Sequence, residues 1–267
     1  MIEGIETSLG LFFLMLIGLE VGRWLARRRA ASEVASTESN AADGVVFALL
    51  GLMLAFTFTS SADRFDERRK LIIEQANAIG TAWLRVDLLP QPEREPIRRC
   101  MRDWVKLYLE TVSVSPEEYS SEFKARYANA QSLQDQAWHA AVAAVDRSPK
   151  PQYAALVLSP INDWIDLTSK RVEMSDRGLP PLVMPTLITL AIAGAVLAGF
   201  GMAKQQARNP LHILLFAGTI AFSLYVIIDM SHPRAGLIRI DAADNAMRQL
   251  YASMTTDSPV PATQPAN

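Results

Sequence analysis

Ala48, Leu52 and Phe56 stand four residues apart inside an apolar run, so they share one face of a helix. Several copies of such a helix around an axis would stack rings of apolar side chains. Hydrophobic constrictions of that kind gate water and ions by dewetting. The periodicity by itself better fits a face that packs against another span of the same subunit. The run then passes, with no Pro or turn cluster, into Asp63, Arg64, Asp66, Glu67, Arg68, Arg69 and Lys70. Arg64/Glu67 and Asp66/Lys70 are opposite-sign pairs at helical spacing, which by themselves describe a solvated, salt-bridged face. In an assembly, Asp63, Arg64, Glu67 and Arg69 would instead form inter-subunit pairs or an ion vestibule at a pore entrance. A third group, Asp229, Pro233 and Gly236, follows the last apolar run. A carboxylate there is expensive in lipid and needs water or a partner.

Enzymatic patterns are missing. His139, His212 and His232 share no metal-ligand spacing with a cysteine or carboxylate. Neither a phosphate-cradling glycine loop nor a G-x-S-x-G elbow occurs. The expectation is no catalytic activity, no cofactor and no metal.

The elements that must carry these residues are helices, and four of them are apolar. The runs Ile5–Ala26, Val45–Thr59, Leu182–Ala203 and Leu211–Ile228 match or approach the roughly 17–25 residues that cross a bilayer. The second reaches that length if it starts near Ala41. Four such runs exceed what the core of a 267-residue soluble chain would bury. The fold class is therefore all-α, an integral membrane protein. Transmembrane helices 1 and 2 are expected in residues 1–60, a helical extramembrane block in 61–181, transmembrane helices 3 and 4 in 182–230, and a short helix with a disordered tail in 231–267. Glu3 and Glu6 stand where a signal peptide would be basic, so the first span is expected to be retained. Gly51, Gly194, Gly199 and Gly201 lie inside spans, where small residues let helices approach closely.

Within the block, Ile97, Cys100, Met101, Trp104, Val105, Tyr108, Leu109 and Val112 fall at helical spacing after the punctuating Pro90, Pro92 and Pro96. Ser115-Pro116 and Ser159-Pro160 both read as helix starts. Residues 240–253 predict one more helix, and the tail from Thr255 has a disordered composition. A formal net charge of −2 leaves no basic footprint for nucleic acid, and the single Cys100 excludes an internal disulfide. Orientation is balanced: Arg23, Arg27, Arg28, Arg29, Lys204 and Arg208 flank one side of the spans. Arg64, Arg68, Arg69, Lys70, Lys170, Arg171, Arg177, Arg234 and Arg239 flank the other, so the positive-inside rule does not decide.

At these residues the sequence resembles a family. Leu52-x-Leu54-x-Phe56, followed by Arg64-Phe65-x-Glu67-x-Arg69-Lys70-Leu71, is similar to the second helix of bestrophins and their bacterial relatives. There, an apolar neck precedes a motif close to R-[WYF]-x-E-x-R-x-L. Asn162-Asp163, Arg171-Val172 and Leu179-Pro180-Pro181 resemble the approach to the family's third helix, and Asp229 to Gly236 resembles its E-x-D-P-F-G turn. Ala55 replaces the neck glycine, and Ala48 is smaller than the residue expected at the outermost ring. The acidic calcium cluster of animal bestrophins is reduced to Asp229, Asp241 and Asp244. The chain also resembles bestrophin-like bacterial membrane proteins of unknown function.

The resemblance implies a homopentamer in the bacterial inner membrane, with a pore lined by the second span and the block and both termini cytosolic. Its partners would be membrane lipids and inorganic ions, most simply small anions such as chloride. A reading from another class is a membrane sensor or scaffold whose central helical block binds a ligand or a protein.

Overall fold

The apolar runs become helices because a backbone in hydrocarbon must satisfy its own hydrogen bonds. The computed structural model describes residues 2–30, 39–113, 116–148, 150–176, 178–203, 210–234 and 236–256. Among them lie α1 (Ile2–Ala30), α2 (Ser39–Arg85), α3 (Arg94–Ser113), α4 (Pro116–Asp146), α5 (Tyr153–Asp176), α6 (Val183–Met202), α7 (Pro210–Ser231) and α8 (Asp241–Thr256), with a short 3-10 turn at Val86–Leu88. No strand occurs among the described residues. Four helices are long and apolar enough to cross a membrane: Gly4–Arg28, Asp43–Leu88, Val183–Met202 and Pro210–Ser231. The tail 257–267, together with Ser115, Arg177, Lys204 and Arg208, lies outside the described residues. The chain divides into two units, Met1–Phe65 with Gly178–Ile238, and Asp66–Arg177 with Arg239–Asn267.

The first unit packs by backbone proximity. Leu11, Met15 and Leu19 of α1, each four apart, meet Leu187, Ala191 and Ala195 of α6 in one buried cluster with Leu50, Ala217 and Leu224. The small α6 residues leave room for close approach. A Cβ on Gly22 would strike the Val196 carbonyl, and one on Gly199 would strike the Leu19 carbonyl. A Cβ on Gly18, at the same seam, would come within 3.3 Å of the Ala195 methyl. This is the small-residue packing of helices that cannot gain from burying apolar surface against lipid. Of the four glycines expected to pack, a Cβ on Gly194 would come within 3.3 Å of the Phe47 ring and one on Gly199 would clash, whereas one on Gly51 or Gly201 would meet nothing among the described residues.

The contacts also set direction. Gly18 meets Ile192 to Val196 and Gly22 meets Val196 to Phe200, so α1 and α6 run the same way. Gly4 touches Ile228 near the end of α7, and Phe47 meets Phe216 edge-on at 6.0 Å near the starts of α2 and α7. Those two helices therefore run the opposite way. Phe13, Leu14, Ile17 and Val21 of α1, and Leu211, Leu215 and Phe222 of α7, are exposed, as suits a lipid-facing surface.

The second unit has a conventional aromatic core. Trp104 meets Trp164 edge to face at 5.5 Å and stacks on Tyr108 at 6.0 Å. Ile97, Met101, Val105, Ile161, Met247 and Leu250 are buried in the same unit. On the expected α3 stripe, Ile97, Met101, Trp104, Val105 and Tyr108 are buried, while Cys100, Leu109 and Val112 are half-buried. A polar knot crosses this core: Gln75 and Gln134 both donate to the Thr168 hydroxyl (2.6 and 2.7 Å), which donates to the Trp164 carbonyl. α8 is joined to α3 where the Tyr108 hydroxyl donates to the buried Asp244 carboxylate.

Two expectations need correction here. Ser159-Pro160 does not start a helix; α5 begins at Tyr153 and Pro160 lies inside it. Proline leaves the carbonyl four residues earlier without its helical donor. That carbonyl belongs to Leu156, and Arg85 supplies the missing donor at 3.2 Å. Thr255 and Thr256, expected in the disordered tail, form the end of α8.

Candidate functional site

α2 is divided lengthwise into a buried and an exposed face. In the first unit Leu50, Thr57 and Ser61 are buried. The Thr57 hydroxyl donates to the Met53 carbonyl at 2.7 Å, so it enters the packed side without an unmet donor. Ala48, Leu52 and Phe56 occupy the opposite face. Leu52 is 51% exposed and Phe56 is 65% exposed, and Ala48 is exposed as well. The structure thus brings these three together on one face, and that face is not used for packing within the first unit.

The charged turns sort by the same geometry. At about 100° per residue, positions eleven apart return to nearly the same face. Asp63 is eleven residues after Leu52, and Glu67 eleven after Phe56. Both acids therefore continue the face that carries the apolar residues, and neither has an ion pair among the described residues. Arg64 and Arg69 are turned to opposite flanks. Arg64 folds back on its own helix, donating to Ser60 at 2.8 Å and Ser61 at 3.2 Å. Arg69 pairs with Asp66 at 3.4 Å. Lys70 returns to the exposed side but pairs with Glu74 at 3.9 Å. The expected Arg64/Glu67 and Asp66/Lys70 pairs are thus replaced by neighbouring ones. Arg68 is buried, and its guanidinium reaches the Met174 carbonyl near the end of α5 at 3.3 Å, satisfying an acceptor that the helix terminus leaves open.

Asp229 is 5% exposed and partnered, so solvation at the interface is not what keeps it there. Its two carboxylate oxygens accept the backbone N–H groups of Leu237 (2.9 Å) and Ile238 (2.7 Å), and the Tyr225 hydroxyl donates to it at 3.2 Å. The chain beyond α7 folds over the carboxylate so closely that a Cβ on Gly236 would collide with it. Pro233 is buried in the same turn. The geometry makes Asp229 a staple for the segment leaving the last span.

The other two acids of the reduced cluster have separate partners. Asp244 takes the Tyr108 hydroxyl, and Asp241 pairs with Arg239 at 2.9 Å. No group of three potential metal ligands stands together among the described residues. His139, His212 and His232 are exposed. Burial, reinforced by Asp103, pushes the Cys100 thiol pKa up, which keeps it protonated at neutral pH. Sequence reasoning passed over Gly18, Gly22, Thr57 and the Glu20–Arg23 pair. The small-residue spacing of Gly18 and Gly22, and two charges inside an apolar run, were the available signals.

The family model described as "Bestrophin-like domain" matches residues 13–245. No curated protein matches the sequence. Among solved structures, a bacterial bestrophin homolog from Klebsiella pneumoniae carrying one tyrosine-to-alanine substitution aligns with a TM-score of 0.73. Its identity is 13%, and the alignment covers 93% of this chain and 99% of that one. A second crystal structure of the Klebsiella pneumoniae homolog aligns with a TM-score of 0.69 and 14% identity, covering 94% and 98%. At such identity the likeness is one of fold: all-α, with four membrane-spanning helices and a helical body.

Proposed function

This chain belongs to the bestrophin-like family, and we propose that it forms an oligomeric ion channel whose pore is lined by α2. The observation that carries the reading is the exposed face of α2, where Ala48, Leu52 and Phe56 stand opposite the buried Leu50, Thr57 and Ser61. In a homopentamer these residues would form the neck, with Phe56 the bulkiest ring. The units correspond to a membrane part and an extramembrane body, the latter cytosolic, in the inner membrane of a bacterium. Asp229, Pro233 and Gly236 would hold the chain where it leaves the last span.

The charges beside the neck favour one sign of ion. A small anion is the simplest expectation from the family resemblance. Yet Asp63 and Glu67 share the neck's face, while Arg64 and Arg69 lie on its flanks, tied to Ser60, Ser61 and Asp66. Rings of acids attract cations and repel anions, so the proposed channel prefers small monovalent cations. Planar bilayers holding the purified protein in a potassium chloride gradient test this. The reversal potential should lie toward the potassium equilibrium value, and Asp63→Asn should move it toward zero. A reversal potential on the chloride side would overturn the assignment of sign.

A further inference from the structure

A groove on the exposed side of α1 is lined by Leu16, Ile17, Glu20, Val21 and Trp24. Ile17, Val21 and Trp24 follow at spacings of four and three, and Arg28 comes four later, so one helix face runs from the groove to the end of the span. At that end the Arg28 guanidinium lies 3.9 Å over the half-exposed Trp24 ring, and Arg27 is exposed beside it. The groove's one charged lining residue, Glu20, meets Arg23 at 3.7 Å. Arg23 is the less usual partner: its side chain is 6% exposed, and its Nε and Nη1 have no hydrogen-bond partner among the described residues.

We propose that this groove is a binding site for an anionic phospholipid, distinct from the α2 face and independent of whether the protein conducts. The dimensions fit one leaflet. From Ile17 to Arg28 the helix rises about 16 Å at about 1.5 Å per residue, close to half of a hydrocarbon core of about 30 Å. An acyl chain lies along Leu16, Ile17 and Val21. The phosphate sits at Arg28 and Arg27, where Trp24 marks the interface. Arg23 is five residues deeper, about 7 Å, and is buried behind the groove rather than lining it. Glu20 holds that guanidinium there and cancels its charge, leaving Arg27 and Arg28 as the net attraction for a negative headgroup.

Native mass spectrometry of the full chain in detergent, titrated with phosphatidylglycerol or with phosphatidylcholine of the same acyl chains, tests the site. Phosphatidylglycerol should be retained preferentially. Arg28→Gln, an exposed change that does not disturb packing, should weaken that retention by roughly tenfold, the size of one charge-assisted hydrogen bond. Ile17→Trp, which fills the groove, should reduce retention of both lipids. Equal retention of the two lipids, or phosphatidylglycerol retention unchanged in Arg28→Gln and Ile17→Trp, would overturn the proposal. So would saturation by inorganic phosphate alone, since the acyl groove would then contribute nothing.

Discussion

Gly22 and Gly199 bring α1 and α6 together until backbone touches backbone, whereas Trp104 and Trp164 hold the second unit together with the largest side chains available. The two arrangements answer different solvents. Water drives large apolar groups inward, so the second unit gains by burying indoles. Lipid offers no such gain, so the first unit depends on close van der Waals approach and leaves Phe13, Ile17 and Phe222 outside. α2 contributes to both units. Along its apolar stretch Val45, Leu49, Leu52, Phe56 and Phe58 are exposed. In the second unit, its residues Leu71, Ile72, Gln75, Ala76, Ile79, Ala82 and Trp83 are all buried. A helix that packs one face in both units and leaves its apolar opposite face free has a use for the free one.

The largest effect should come from breaking the tight seam. Gly199→Leu places a side chain against the Leu19 carbonyl, which cannot move aside, and overpacking of that kind costs about 3 kcal/mol or more. The variant should be lost as folded protein, read as the monodisperse peak in size-exclusion chromatography. Gly201→Leu, where no described residue lies within reach, should behave as wild type. Should both glycines tolerate leucine, backbone approach is not what holds the first unit.

Trp164→Ala attacks the other arrangement. Removing a fully buried indole should cost about 3–5 kcal/mol and lower the thermal midpoint of the second unit. Hydrogen exchange should accelerate in α3 and α5 while protection in α1 and α6 persists. Equal loss of protection in all four helices would mean that the units do not differ in the way described.

The smallest effect should be at Pro160. Replacing a proline in a helix interior would ordinarily recover about 3 kcal/mol. Here Arg85 already serves the Leu156 carbonyl, so Pro160→Ala should change stability by less than about 1 kcal/mol in chemical denaturation. A gain of the full amount would show that the arginine compensates for nothing.

Pro160 also illustrates what the sequence conceals. Ser159-Pro160 carries a good local helix-start signal, and the donor that overrides it stands in another helix. Apolar length and periodicity made the spans and the α3 stripe legible, because both are properties of consecutive residues. The α2 face was legible for the same reason, since Ala48, Leu52 and Phe56 recur every fourth residue. Side-chain choice was less so. Arg64 could have faced Glu67, but the Ser60 and Ser61 hydroxyls offered acceptors on its own helix. The role of Asp229 depended on Leu237 and Ile238 folding back over it, a tertiary event that no local pattern encodes. Gly22 was hidden for a related reason: only its partner carbonyl on α6 shows why a side chain is forbidden there.

The central claim is that the free face of α2 encloses a gated path for ions. Phe56→Ala removes the bulkiest ring of the proposed neck while leaving the buried face of α2 untouched. Ion flux from proteoliposomes should rise severalfold over wild type, the change expected when a dewetting constriction is widened. Flux from wild-type and Phe56→Ala proteoliposomes no greater than that of empty vesicles, with both proteins folded and inserted, would contradict the account.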